Sequence, residues 1–154
     1  MSWHRFPSAA AAAWMILWGS TAAPSEPGSP RAVVDDFSRM LESHHALEAI
    51  QKYVSEDYIE HDPATQGGDR AGLIKFIKDT GWDETRNQGA IVHRDRTIAS
   101  GELIVVHQHI RLSPTSPVIA IVDIFRVHAG KIVEHWDVSQ EVPAKPVNTR
   151  YPMY

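Results

Sequence analysis

Between residues 90 and 139 the sequence is a ladder of four strand-like runs, 90–98, 103–112, 118–127 and 132–139. Only Ser100 and Gly101, the stretch from Ser113 to Pro117, and Ala129 with Gly130 interrupt it, and such short breaks read as turns between antiparallel strands. The helical signals all come earlier. Ser29 and Pro30 form an N-cap and first-turn proline, and Val33, Phe37, Met40, Leu41 and His44 follow at helical spacing. A second short helix is expected from Ala46 to Val54, and Tyr58, Ile59, Glu60 and His61 read as a short extended segment ended by Asp62 and Pro63. Asp69 can cap a third helix that runs to about Asp79 and stops at Gly81. Three helices followed by a run of strands is the α+β pattern: a cone of helices packed on the concave face of a curved, mostly antiparallel sheet. The open end of such a cone is a natural place for a pocket.

The chain start is different in kind. Arg5 precedes a ten-residue apolar run, Ala9 to Trp18, and small residues follow up to Ala23. This reads as a secretory signal peptide over residues 1–22, cut after Ala22, with export to the periplasm or beyond. The run is too short to span a bilayer, which needs about 20 apolar residues, so no membrane span is expected after cleavage. Residues 23–29 read as a linker, 30–142 as the folded domain, and 143–154 as a proline-containing tail. With 43% hydrophobic and 22% charged residues, the composition is that of a globular protein. The absence of cysteine excludes thiol catalysis and thiolate metal sites. Removing Arg5 with the leader leaves 14 basic against 19 acidic residues, and no basic cluster supports nucleic-acid binding.

Candidate chemistry concentrates in the last two strands. Asp123 sits mid-strand with Ile121 and Phe125 as same-face neighbours. An acid among apolar neighbours is expected to hold its proton, which suits a general acid/base. The alternative is a structural acid paired with a nearby arginine or histidine. A three-residue loop, His128 to Gly130, would pair Val127 with Lys131, Phe125 with Val133 and Asp123 with His135. Asp123, His135 and Asp137 would then share a face, whereas a two-residue loop would bring Trp136 beside Asp123. His107 and His109 alternate on one strand, as a proton-transfer pair, a metal pair or a solvated face. His61 and Tyr58 lie in the segment before Pro63, which can present side chains to a cavity rim, with a surface-loop histidine as the alternative reading of His61. Trp82 is either a lid over the mouth or a packing aromatic.

The segments YIEHDP, VVHQHIRL and VDIFRVHAGKIVEHWDVSQEVP resemble the SnoaL-like group of polyketide-cyclase relatives within the nuclear-transport-factor-2-like (NTF2-like) superfamily. The resemblance runs from about Val33 to Tyr154. It implies the helical cone, a homodimer and no cofactor; no metal is expected either, because His107 and His109 lack a third ligand at a preset spacing. It also implies that Asp123 is a general acid/base in an aldol ring closure, with His109 or His107 close by. Asp62 departs from the group, which commonly has asparagine there. The function these readings favour is a cofactor-independent acid/base enzyme. It would use Asp123 with His109, His107 or His135, and would hold a small hydrophobic carbonyl ligand against His61, Tyr58, Phe125 and Trp82. The alternatives are an exported non-catalytic binder and a metal-dependent variant built on His107 and His109.

Overall fold

The structure, a computed structural model, describes residues 26–84 and 89–154. The expected leader and its cleavage site lie outside the described residues. Three helices, α1 (Pro30–Glu42), α2 (Ala46–Tyr53) and α3 (Arg70–Thr80), accompany five strands. The strands are β1 (Val54–Glu60), β2 (Ile91–Ser100), β3 (Leu103–Arg111), β4 (Val118–His128) and β5 (Lys131–Glu141). They form one sheet in the order β1-β5-β4-β3-β2, antiparallel throughout except where β1 runs parallel to β5. Among the described residues no helix is long and apolar enough to cross a membrane.

The helix ends follow the residues that dictate them. Ser29 Oγ accepts from the Ala32 amide at 3.2 Å, and Asp69 Oδ1 accepts from the Gly72 amide at 2.8 Å. Gly81, at φ 62°, closes α3 in the left-handed region. The α2 helix has no capping side chain of its own. Asp83 supplies the cap from the far end of α3, accepting from the Ala46 and Leu47 amides at 2.7 and 2.9 Å. Trp82 beside it donates its indole N–H to the Leu41 carbonyl at 2.8 Å, and its ring packs against His44. Trp82 thereby ties α3 to the end of α1: it is a packing aromatic rather than a lid.

The core lies between the helices and the concave sheet face, where Val34, Phe37 and Ile50 meet Ile104, Val106, Phe125, Val127 and Ile132. Burying that apolar surface is the dominant favourable term in holding the cone together.

Register decides which side chains join this face. His128 pairs with Lys131 across a two-residue loop in which Ala129 and Gly130 both have positive φ (48° and 77°). This replaces the expected three-residue loop, and alone it would have turned Trp136 toward Asp123. A bulge intervenes. Arg126 pairs with Glu134 but Val127 pairs with Ile132, so Val133 is the extra residue. Parity is restored two positions along: Asp123 faces Asp137, Phe125 faces His135, and Trp136 pairs with Ile124 on the convex side.

Candidate active site

Concave-face positions can be read from the pairing. Val106 pairs with Asp123, Gln108 with Ile121, and Glu60 with His135. Tyr58 and Glu60, two apart on β1, share that face. Asp123, Gln108, His135, Glu60 and Tyr58 therefore converge from four strands.

They form one hydrogen-bonded chain. The Tyr58 hydroxyl donates to Glu60 Oε2 at 2.5 Å, and Glu60 Oε1 lies 2.9 Å from His135 Nδ1. His135 Nε2 lies 3.2 Å from Asp123 Oδ1, and Gln108 Nε2 donates to Asp123 Oδ2 at 2.8 Å. The Asp62 amide donates to Glu60 Oε1 at 3.1 Å. Phe125 stacks on the His135 ring with centroids 4.6 Å apart, and its own edge meets Phe37. The Glu60 side chain is only 2% exposed, His135 13% and Asp123 12%. A buried charge needs such partners, and here each has them.

The electrostatics follow from that chain. Burial alone would strip His135 of its proton, but hydrogen bonds to Asp123 and Glu60, and their charges, push its pKa up to about 9. His135 is therefore an imidazolium at neutral pH, donating from both nitrogens. Burial pushes Glu60 up, yet the hydrogen bond and charge of His135, the Tyr58 hydroxyl and the Asp62 amide together hold it below its ordinary value. Burial raises Tyr58 well above the usual phenol range, helped by the Glu60 carboxylate. Asp137, across from Asp123, is raised first by burial and then by the charge of Asp62. It holds its proton to higher pH than an ordinary carboxyl.

Other expected site residues are placed elsewhere. His107 and His109 pair with Val122 and Ala120 on the convex face, so neither approaches Asp123. Their parity is opposite to that of Gln108, which takes the position beside the acid. His61 also faces outward, stacked on Trp136 at 4.8 Å and 2.9 Å from Glu134 Oε1. Nor is Asp123 surrounded by apolar groups alone, since both its oxygens have polar partners. Glu60 and Gln108 were not singled out in the sequence. The signal for Glu60 was its two-residue spacing from Tyr58, and for Gln108 its place opposite in phase to the two histidines. Two surface grooves, of about 460 and 350 Å³, lie at Arg31, Asp35 and Arg94 and at Gln66, Asp69 and Lys75. Neither is lined by Asp123.

The helical cone on a curved sheet is the NTF2-like fold. The SnoaL-like domain family matches residues 34–135, and the chain belongs to that family. No curated protein matches the chain. Solved structures show the fold at low identity. IdmH of Streptomyces antibioticus, a proposed polyketide cyclase, is 21% identical over 72% of this chain and 91% of its own, with a TM-score of 0.59. A proposed polyketide cyclase of Acidithiobacillus ferrooxidans is 16% identical over 76% and 92%, with a TM-score of 0.60. A proposed ketosteroid isomerase of Kribbella flavida is 20% identical over 76% and 82%, with a TM-score of 0.59.

Proposed function

We propose that the protein is a cofactor-independent enzyme that moves a proton at a carbon next to a carbonyl, in an aldol cyclisation, an isomerisation or related chemistry. The observation that carries this reading is the buried Glu60–His135–Asp123 chain on the concave face. Asp123 takes the proton from the substrate carbon and later returns it. His135, held charged by Glu60, stabilises the carboxylate through its Nε2–H and keeps it oriented. Asp137, the cross-strand partner of Asp123, is the candidate donor to the developing enolate oxygen in its protonated form, the form that burial favours. Phe125 walls the site and orients the imidazole, while Tyr58 acts on Glu60 and so is a positioning residue. The family and the polyketide-cyclase and ketosteroid-isomerase names of the structural neighbours support the same chemistry.

The test is hydrogen–deuterium exchange at the α-carbon of a panel of aromatic and β-dicarbonyl ketones, followed by NMR in heavy water. The wild-type chain should accelerate exchange for some members, and Asp123→Asn should lose about 10²–10⁴ of that rate. Binding of these ketones without exchange, equally by wild type and Asp123→Asn, would leave a non-catalytic binder instead.

A further inference from the structure

The convex face carries a second cluster that the concave chemistry does not use. His93 on β2 pairs in register with His109 on β3, and their rings stack with centroids 4.9 Å apart. The β2–β3 register shifts between Arg94 and Arg96, which makes Asp95 the extra residue of a bulge. Bulges re-aim side chains, and this one turns the Asp95 carboxylate onto both histidines. One oxygen lies 3.1 Å from His93 Nδ1 and the other 2.9 Å from His109 Nδ1. The three donor atoms lie within 4.8 Å of one another.

We infer that His93, Asp95 and His109 form a binding site for one divalent first-row transition metal ion, of which zinc is the representative. Three arguments converge. The donor set is two imidazoles and one carboxylate, the combination that suits zinc, nickel or iron(II) and not the hard cations magnesium and calcium. In a tetrahedral zinc site with ligands at 2.0–2.2 Å, neighbouring ligand atoms are about 3.4 Å apart, close to the distance from each histidine nitrogen to its own Asp95 oxygen, one of which would serve both. The remaining nitrogen–nitrogen edge can close by rotation of His93, whose side chain is 64% exposed, around an Asp95 that is only 11% exposed. Asp95 shares a groove with Arg31, Arg39, Arg94 and Arg96; the first three are drawn to Asp35, Asp36 and Glu42 by ion pairs. The Tyr154 ring, 3.9 Å from that of His109 between centroids, covers one side of the site. A bound ion would clip the outermost strand β2 to β3 and leave coordination positions open toward solvent.

His107 points to the same face but stands one rung away, beside Arg96 and Val122. It is the control that separates a built site from incidental surface histidines. The experiment is equilibrium dialysis of the full chain, stripped with chelator, against zinc chloride, with cobalt(II) as a visible-absorption probe of coordination. Wild type and His107→Gln should each bind one ion per chain and give the same cobalt spectrum. His93→Gln and Asp95→Asn, checked for folding by circular dichroism, should each weaken binding about tenfold or more. Zinc bound at less than one ion per chain would overturn the inference. So would affinity unchanged in both His93→Gln and Asp95→Asn, or a loss in His107→Gln equal to theirs.

Discussion

His135 is held between two carboxylates, and this fixes how the fold should respond to pH. Its folded pKa of about 9 stands above its ordinary 6.5, so the folded state binds that proton more tightly than the unfolded chain. The resulting stabilisation is fully present below pH 6.5 and is lost as pH rises through 9. Glu60 is shifted downward and contributes in the opposite sense, fully above its ordinary value of 4.5 and less as pH falls below it. Denaturant midpoints should therefore fall between pH 7 and 9.5, and His135→Gln should flatten that slope. Asp123→Asn also bears on stability. An asparagine oxygen can still accept from His135, and a flipped Gln108 amide can accept from the asparagine NH2, but one of the two charges that hold His135 protonated is gone. A loss of about 1–3 kcal/mol in urea unfolding is expected, the cost of replacing a charge-assisted buried hydrogen bond by a neutral one. The strand pattern made Asp123 and His135 legible, because alternation alone puts them among inward positions. The partners were not, because a hydrogen bond from Gln108 or Glu60 depends on where other strands dock.

At the scale of elements, the helices and the last four strands were legible to within about two residues, since caps and turn residues act locally, whereas β1, expected from Tyr58, already starts at Val54 where α2 ends. Register was not. Gly130 signals a tight turn, but Ala129 also adopts positive φ, which its side chain disfavours, and Val133 carries no mark of a bulge. The two departures cancel in parity, which is why the expected face survived although every pair moved. Ala129→Asn should relieve the turn and stabilise the protein by about 0.5–1 kcal/mol, a rise of a few degrees in Tm. Gly72 shows the reverse case. A Cβ there would lie 1.8 Å from the Gln66 carbonyl oxygen, so the chain before α3 packs against bare backbone. Gly72→Ala should destabilise by at least about 1–3 kcal/mol, measurable by thermal unfolding.

At the scale of the molecule, the convex face leaves Val138 75% exposed beside Val122, while His61 covers part of Trp136. We propose that a second copy packs there, as the family resemblance implies. Val138→Asp should then shift the light-scattering mass from dimer to monomer, and a wild-type monomer at micromolar concentration would refute this.

The parallel pairing of β1 with β5 bears on the order in which the chain can mature. Glu60 and His135 are 75 residues apart in sequence, and their strands are neighbours only because the last strand inserts between β1 and β4. Contacts of such long range carry a loop-closure penalty and slow folding, whereas the β2–β3 and β4–β5 hairpins close locally. The helices and those hairpins can thus form while Glu60 still faces water. The His135–Asp123 link can close with the β4–β5 hairpin, whereas the Glu60–His135 link waits for β1 to dock, so recovery of the proposed activity after dilution from denaturant should lag behind recovery of secondary structure.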